Sequence, residues 1–395
     1  MLLAKKIRLK PTPEQEILFH KSAGVARWAY NYFLSENERV WQEYLANGKT
    51  GAKSISEGAV RKYINHVLKK TTHAWLKEVG SNVIKQAVKD AGSARNRYFR
   101  GQSEKPRYKS KRKSKPSFYV NYESLSRRSG GFHGEKIGFV KTSEPLPKLA
   151  KGQKYSNPHI SFDGKYWYLS VGYEVPETKN KLTGESIGID LGVKDLAVCS
   201  TGKTYKNINK SKEVRRLEKV LKREQRRLSR MQEQNISGYK TAGNKRIPVF
   251  IKPLHECRNF QKQKQRIKLL NRKLSNIRMN YLHQTTTEIV KTKPSRIVME
   301  TLNVKGMMKN RHLAKAVQKQ GFYEFKRQMA YKCQKYGIAF VEAPAFYPSS
   351  KACSCCGSIK RDLKLSDRIY RCKECGLVID RDFNASLNLA TYQSA

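Results

Sequence analysis

The chain has 395 residues, of which 81 are lysine or arginine and 32 are aspartate or glutamate, so its formal net charge is +49. Self-repulsion of that size destabilises a compact fold unless a polyanion neutralises it, and phosphate contacts make nucleic acid the expected polyanion. A membrane partner is not expected, because the longest apolar runs are far shorter than the roughly 20 residues that span a bilayer. The start of the chain, Met1–Lys6, lacks the features of a secretory signal, which predicts a cytoplasmic protein.

The first hundred residues are predicted to be a strand followed by a helical block. Residues 2–9 form the strand, after which Thr12 can cap a helix and Gln15 completes a capping box. The helical pattern continues to about residue 100, with breaks near residues 48–51 and at Gly80. One apolar stripe of this block comprises Ile17, Leu18, Val25, Trp28, Ala29 and Tyr32. The aromatic residues that we assign to its core are Phe19, Trp28 and Tyr32.

A basic linker, residues 105–116, separates the helical block from a segment with strand periodicity. The linker has prolines at both ends, and aromatic residues flank it, which favours contact with a nucleic-acid backbone over a merely solvated charge run. Asp163-Gly164 predicts a hairpin turn between two of the strands that follow. The predicted strands are residues 117–120, 137–140, 159–162 and 166–175. We expect the strand at residues 2–9 to join them.

Residues 186–395 predict an α/β domain, because strands alternate with helices. The first strand, residues 187–193, is apolar apart from Asp190, and residues 196–199 pair back onto it. Two long basic helices follow, with apolar residues spaced as in an antiparallel helical hairpin. The remaining predicted elements are a strand at 296–301, a helix at about 312–336, a strand at 338–342 and a closing helix from about 383.

Five of the eight cysteines lie between residues 353 and 375. Cys353 and Cys356 form one Cys-x-x-Cys-Gly frame, and Cys372 and Cys375 form another, a spacing typical of a structural zinc site. The frame favours Cys356 over Cys355 as a ligand. Four thiolates would complete the tetrahedral coordination of one Zn²⁺. Redox cysteines, or a ribbon that has lost its metal, would also fit the pattern.

Three carboxylate residues lie in segments where burying an unpaired charge would cost free energy. Asp190 lies within an apolar strand, Glu300 ends another, and Asp382 lies at the start of the last helix. Singly, each has another interpretation: Asp190 as a satisfied strand residue, Glu300 as the partner of an arginine, and Asp382 as a helix cap. Together, in a protein suited to nucleic acid, they indicate a site for two Mg²⁺ ions that hydrolyses a phosphodiester.

Four segments of the chain resemble the TnpB family, proteins encoded by insertion sequences and related to type V CRISPR nucleases. These segments are Ile187–Val193, Val298–Val304, Pro348–Lys351 and Asp380–Ser386. The resemblance implies an RNA-guided double-stranded DNA endonuclease. Its expected partners are a guide RNA from the right end of the element and target DNA beside a short transposon-adjacent motif. It also implies a functional link to the element's transposase and a bacterial or archaeal, nucleoid-associated location.

The resemblance also implies a fold, a multidomain α+β architecture. A β-barrel wedge domain would comprise residues 1–12 and 116–182, and a helical recognition domain with the linker would comprise 13–115. An RNase H-like (RuvC) nuclease domain would comprise 183–348 and 377–395, with a zinc ribbon inserted at 349–376.

Site residues follow from the same resemblance. Asp190, Glu300 and Asp382 correspond to the catalytic, Mg²⁺-binding triad of the family, and Cys353, Cys356, Cys372 and Cys375 to its zinc ligands. Lys85 and Gln86 are candidates for reading the adjacent motif. The remaining candidates for nucleic-acid contact, all in the linker, are Arg107, Lys109, Lys111, Arg112 and Lys113.

Four further functions remain open at this point. A DNA-breaking transposase could also use three acids, although the sequence has no clear helix-turn-helix or catalytic tyrosine motif. An unguided RuvC-like nuclease, a structure-specific resolvase and a nucleic-acid-binding protein without activity would also be compatible with the composition and the three acids.

Overall fold

The computed structural model describes residues 1–176, 180–243, 245–364 and 366–393. The chain divides into two compact units, Leu2–Val175 and Pro176–Ala395. Within the described ranges, no helix combines the length and the apolar character that crossing a bilayer requires.

The unit Leu2–Val175 begins with one strand and continues into helices. These elements are β1 (Leu2–Lys10), α1 (Pro13–Ala46), α2 (Glu57–Tyr63) and α3 (Ser81–Phe99). Six strands follow: β2 (Ser117–Tyr119), β3 (Ser126–Arg128), β4 (Gly131–Gly134), β5 (Gly138–Thr142), β6 (Ser156–Phe162) and β7 (Trp167–Glu174). Thr12 caps α1 and forms the predicted capping box with Gln15.

The seven strands form one antiparallel sheet in the order β2-β6-β7-β1-β5-β4-β3. β1 pairs with β7 along most of its length and with β5 at its end, which confirms that the first strand joins the later ones. The helices therefore lie in the chain between two strands of the same sheet. Among the described residues β2 and β3 do not pair with each other, so closure into a barrel stays a prediction.

Helix α1 packs on this sheet through aromatic side chains. The Phe19 ring lies 5.7 Å from that of Phe118 and 5.2 Å from that of Trp167, and all three side chains are buried. Phe19 is thus a core residue, as predicted. Ile17, a member of the predicted apolar stripe, is 59% exposed. The sheet covers only part of the apolar stripe, and helical periodicity alone does not show where that cover ends.

The hairpin of β3 and β4 was not predicted from the sequence. Its residues are mostly arginine, serine and glycine, which lack the apolar alternation of a typical strand. The hairpin depends on Gly130, whose φ of 71° suits the turn, and on Gly131, where a Cβ would lie 2.1 Å from the Val140 carbonyl oxygen. In contrast, the turn at Asp163-Gly164 is present as predicted, with the Asp163 amide donating to the Tyr166 carbonyl.

The unit Pro176–Ala395 is built around a five-stranded sheet in the order β10-β9-β8-β13-β14. Its first half comprises β8 (Ser186–Leu191), β9 (Asp195–Cys199), β10 (Thr204–Lys206), α4 (Lys212–Glu233), β11 (Ile236–Ala242), β12 (Lys245–Phe250) and α5 (Arg258–Lys291). Its second half comprises β13 (Arg296–Glu300), α6 (Val304–Met307), α7 (Ala314–Gln320), α8 (Phe322–Tyr336), β14 (Ala339–Ala343), β15 (Ile369–Arg371), β16 (Val378–Asp380) and α9 (Arg381–Thr391).

Strands β8, β13 and β14 are parallel, whereas β9 and β10 add antiparallel hairpins at one side of the sheet. This arrangement confirms the predicted mixed α/β character. Helices α4 and α5 pack together as the predicted hairpin, and the unpredicted β11–β12 hairpin joins them. The helix predicted over about 312–336 is divided at Gly321, whose φ of 70° is left-handed and ends α7.

Candidate active site and metal centre

Two of the three candidate carboxylates lie side by side at the carboxyl ends of parallel strands. The register pairs Val298 with Gly188 and Met299 with Ile189, so the next residues along, Glu300 and Asp190, are neighbours. Adjacent strands are about 4.8 Å apart, and both side chains point to the same face of the sheet. The carboxyl ends of parallel strands are where open α/β sheets place their sites.

Helix α9 brings the third carboxylate to the same place. It packs on β8 at Gly188, where a Cβ would lie 2.0 Å from the Ser386 carbonyl oxygen and 2.4 Å from the Ala390 nitrogen. Asp382 precedes Ser386 by four residues, which places it on the same face of the helix, in the first turn. The absence of a side chain at Gly188 therefore allows α9 to carry Asp382 to the strand ends.

Asp380 and Asp382 have different environments. The Asp380 carboxylate is the N-cap of α9 and accepts hydrogen bonds from the amides of Asp382 and Phe383, at 2.9 and 3.0 Å. Asp382 is therefore not the cap, which excludes that interpretation of its position in the sequence. Its carboxylate instead contacts the guanidinium groups of Arg381, at 2.8 Å, and Arg368, at 3.7 Å. Neither arginine was predicted to take part in the site.

The electrostatics of the cluster favour a bound cation. Burial, followed by the negative charges of Glu300 and Asp382, raises the pKa of Asp190 to about 8, although Arg381 opposes the shift. Burial also raises the pKa of Glu300. Carboxyls that repel one another in a poorly solvated place ionise fully only when positive charge compensates them. Carboxylate oxygens are the ligands that Mg²⁺ prefers, so this donor set fits a hard divalent cation.

The four predicted cysteines meet in the structure. Among the described residues, they are the one group of three or more candidate ligands whose ligand atoms all lie within 4.8 Å of one another. The Sγ atoms of Cys353 and Cys375 are 3.6 Å apart, as are those of Cys356 and Cys372. A tetrahedral ion with Zn–S bonds of about 2.3 Å requires sulfur separations of about 3.8 Å. The geometry therefore fits one zinc ion.

A neighbouring serine supports the thiolate state of Cys372, one of the four cysteines. The Ser358 hydroxyl lies 3.2 Å from the Sγ of Cys372, and this hydrogen bond holds the pKa of the Cys372 thiol below its usual value. The thiolate is the form of cysteine that binds metal. Cys355 is exposed and does not belong to the four-sulfur group, in agreement with its exclusion as a ligand.

Two asparagines connect the cysteine segment to the carboxylate-bearing helix. Asn384, which is fully buried, donates to the Ala352 carbonyl and accepts from the Ser354 amide, at 2.7 and 3.0 Å. Asn388 donates to the carbonyls of Ser349 and Ala352, both at 2.7 Å. The start of the cysteine segment is thus fixed to α9. The sequence analysis did not predict that these asparagines fix the cysteine segment. Buried polar residues four positions apart on one helix face indicate such hydrogen bonding, because buried polar groups need partners.

The structure does not gather the candidate nucleic-acid contacts into one cluster. Lys85 is exposed on α3, whereas the Gln86 amide donates to Asp90 at 2.8 Å. Gln86 and Lys109 line the same cavity of about 290 Å³. Of the other linker candidates, Arg107 forms an ion pair with its neighbour Glu104, at 3.1 Å. The rest, all exposed, are Lys111, Arg112 and Lys113.

Three family models match parts of the chain. One described as "Helix-turn-helix domain" matches residues 1–46, one described as "Probable transposase" matches residues 170–311, and one described as "Cas12f1-like, TNB domain" matches residues 322–389. In the structure, residues 1–46 form one strand and one continuous helix of 34 residues. The two-helix arrangement that the first description names is therefore not formed within this range.

The chain is also similar to proteins over nearly its whole length. It is 29% identical over 393 residues to a protein of Streptomyces pristinaespiralis named "Putative RNA-guided DNA endonuclease", covering 98% of this chain and 88% of the relative. It is 27% identical over 406 residues to "Putative RNA-guided DNA endonuclease InsQ" of Escherichia coli strain K12, covering 98% and 91%. A cryo-EM structure of a Cas12f1–sgRNA–target DNA complex aligns over 99% of both chains with a TM-score of 0.56 and 13% identity, a likeness of fold.

Proposed function

The chain belongs to the TnpB family, and from this premise we propose that it is an RNA-guided endonuclease that hydrolyses double-stranded DNA. The observation that supports this most directly is the convergence of Asp190, Glu300 and Asp382. Parallel pairing of β8 and β13 accounts for the first two, and the packing of α9 at Gly188 accounts for the third. The relatives named as RNA-guided DNA endonucleases support the same activity.

The three carboxylates are the proposed ligands of two Mg²⁺ ions. Bound Mg²⁺ supplies a Lewis acid for the scissile phosphate and lowers the pKa of a water molecule that attacks it. Asp190 and Glu300, fixed on neighbouring strands, would hold the ions that position the scissile phosphate. Asp382, whose carboxylate contacts Arg381 in the structure, would complete the ligand set.

Zinc has a structural role in this proposal. Four sulfur ligands leave no coordination position for a substrate, so the ion stabilises the segment around residues 349–376 and does not act on DNA. The hydrogen bonds of Asn384 and Asn388 attach this segment to α9, so an ordered segment helps to hold α9, and with it Asp382, in place.

The domains follow from the same proposal. Residues 1–12 and 116–182 form the wedge domain, and 13–115 the recognition domain. Residues 183–348 and 377–395 form an RNase H-like nuclease domain, which the strand order β10-β9-β8-β13-β14 supports. The partners are a guide RNA derived from the right end of the element and target DNA beside a short motif. The proposal includes a link to the element's transposase.

A second candidate function, a transposase that breaks and joins element ends, is suggested by the description of the model that matches residues 170–311. It differs from the proposed function in one measurable respect. A guided nuclease follows the sequence of an RNA, whereas a transposase follows the ends of its element.

The deciding experiment holds the protein and the target plasmid constant and changes only the guide segment of the RNA. We expect Mg²⁺-dependent cleavage to follow the new guide and to require the adjacent motif. The Asp382→Asn variant, which keeps the side-chain volume but loses the charge, is the matched control and should bind the RNA without cutting. Cleavage that stays at the original site, or that proceeds equally without RNA, would contradict the guided function.

A further inference from the structure

Four aromatic side chains, Trp41, Tyr98, Phe99 and Tyr108, line one cavity of about 770 Å³ in the unit Leu2–Val175. We call this group the aromatic cup. Its members are 40%, 39%, 67% and 58% exposed. Single exposed aromatic residues are ordinary, but four around one cavity are a binding feature rather than an accident of the surface. The volume falls within the range of ligand pockets, roughly 300–1,000 Å³.

The aromatic cup is held by specific contacts. The buried Asn37 side chain accepts a hydrogen bond from the Ile55 amide, which fixes the loop after α1 as one wall. Lys105 forms an ion pair with Glu38 of α1, at 3.3 Å. Further along the linker, the backbone of Lys109 exchanges two hydrogen bonds of 2.8 Å with the Asn31 side chain. The basic linker is thus anchored to α1 and forms the second wall.

Basic side chains line the aromatic cup, and few carboxylates are present to neutralise their charge. Arg95 lies over the Phe99 ring, 4.7 Å from its centroid, and forms no ion pair with any described residue. Lys53 also lines the cavity and has no carboxylate partner among the residues described. The one acid of the lining, Glu38, is engaged by Lys105. Aromatic faces with unpaired cations beside them suit an occupant that has both flat rings and negative charge.

We propose that the aromatic cup binds unpaired nucleobases of the guide RNA by stacking, with Arg95 and Lys53 contacting the flanking phosphates. Unpaired bases are required, because the faces of bases in a duplex are covered by their neighbours, whereas splayed bases stack on aromatic side chains and guanidinium planes. RNA is favoured over a DNA strand, because under the proposed function the guide is the polyanion that neutralises the formal charge of +49 before any target binds. This inference rests on the proposed function, since it assumes a guide RNA.

The test compares Trp41→Ala and Phe99→Ala with Tyr63→Ala, which removes an aromatic residue of similar exposure outside the aromatic cup. Binding of a single-stranded uridine oligonucleotide, and of the RNA that copurifies with the protein, is measured at elevated salt, where phosphate contacts are weakened. A single-stranded DNA oligonucleotide of the same length is measured beside them. We expect each variant of the aromatic cup to weaken binding of both RNAs by roughly 5- to 150-fold, the range of one lost base stack. Binding of double-stranded RNA and the binding of Tyr63→Ala should not change.

A second readout separates stacking from general loss of structure. Removing an aromatic ring should leave the slope of log K against log salt unchanged, because every cation that meets a phosphate is still present, whereas Arg95→Ala should reduce the slope by about 1. Trp41→Phe, which retains a stacking ring, should bind like the wild type while losing the RNA-induced quenching of tryptophan fluorescence.

Unchanged affinity of both alanine variants for single-stranded RNA would overturn the proposal, as would equal losses with double-stranded RNA. A loss confined to single-stranded DNA would assign the aromatic cup to a DNA strand and equally overturn it. Guided cleavage by the wild-type protein is assayed in parallel. If the variants lose RNA affinity but the wild type does not follow its guide, the proposed function fails while the stacking site stands.

Discussion

At the scale of single residues, the two aspartates at the start of α9 illustrate how position decides role. The Asp380 carboxylate accepts hydrogen bonds from the first amides of the helix, whereas the Asp382 carboxylate contacts two arginines. Two residues of the same type, two positions apart, are thus expected to respond differently to substitution.

We predict that Asp382→Asn abolishes cleavage, by more than about 100-fold, because removal of a metal ligand should exceed the 10- to 100-fold effect of replacing a residue that only orients a ligand. Asp190→Ala and Glu300→Ala should have the same effect, and all three variants should keep RNA binding. Asp380→Ser retains a capping hydroxyl and should cut nearly normally, whereas Asp380→Ala should lose about 1 kcal/mol of stability. Cleavage rates and thermal melts check this. Normal cutting by Asp382→Asn would remove Asp382 from the site.

The second prediction at this scale concerns the cysteines. Cys355→Ser should leave the zinc content at one ion per chain, because its sulfur lies outside the four-sulfur group. Cys356→Ser should lower the zinc content and the melting temperature together, since binding of structural zinc contributes directly to folding. Elemental analysis and thermal melts of freshly purified protein measure the two effects. Equal zinc loss in the two variants would contradict the ligand assignment.

At the scale of secondary structure elements, the contact between α9 and β8 determines where Asp382 lies. The helix backbone approaches Gly188 so closely that any side chain there must displace it. The asparagines of α9 hold the cysteine segment on the other side. One helix therefore connects the sheet, the third carboxylate and the cysteine segment.

We predict that Gly188→Ala destabilises the unit by about 1–3 kcal/mol, the usual cost of overpacking, and reduces cleavage by shifting Asp382. Gly184→Ala is the matched control, because a Cβ there meets nothing within 4 Å. Denaturant unfolding and the cleavage assay measure the two effects. Wild-type activity and stability in Gly188→Ala would show that α9 does not depend on this close approach.

At the scale of the whole molecule, charge is the dominant property. A formal charge of +49 disfavours the compact free protein, and a bound polyanion relieves that repulsion. We predict that the guide RNA raises the melting temperature, as any ligand that binds only the folded state does, and that salt abolishes the increase. With six to ten phosphate contacts, affinity should fall by about 10³- to 10⁵-fold between roughly 50 and 200 mM salt.

The measurement is RNA affinity across a salt series. Replacing Lys111, Arg112 and Lys113 by serine should reduce the slope by about one for each phosphate that the protein no longer neutralises. Asp382→Asn, which alters no basic side chain, should leave the slope unchanged. A salt-independent affinity would contradict a binding mode that depends on phosphates.

Much of the site could be read from the sequence because local rules govern it. A Cys-x-x-Cys frame has a fixed reach, so the four sulfurs could be named, and the structure brings them together. A carboxylate within an apolar strand is anomalous wherever it occurs, so Asp190 and Glu300 could be singled out. The mixed α/β character is confirmed, and three family models and relatives similar over nearly the whole chain support the family resemblance. The endonuclease activity stays a proposal, and the roles of the carboxylates in cleavage stay predictions.

The sequence by itself determined the strands with apolar alternation, the caps, the metal-ligand spacing and the polyanionic partner, since each depends on residues near one another or on composition. Tertiary structure alone decided which residues of the apolar stripe the sheet buries, since Ile17 stays exposed. It also decided that residues 126–134, which are rich in glycine, pair as a hairpin. It also decided that Trp41, distant in sequence from the linker, lines a cavity with Tyr98 and Tyr108. Such outcomes depend on which surfaces meet after folding, and no local pattern encodes a contact between residues that lie far apart along the chain.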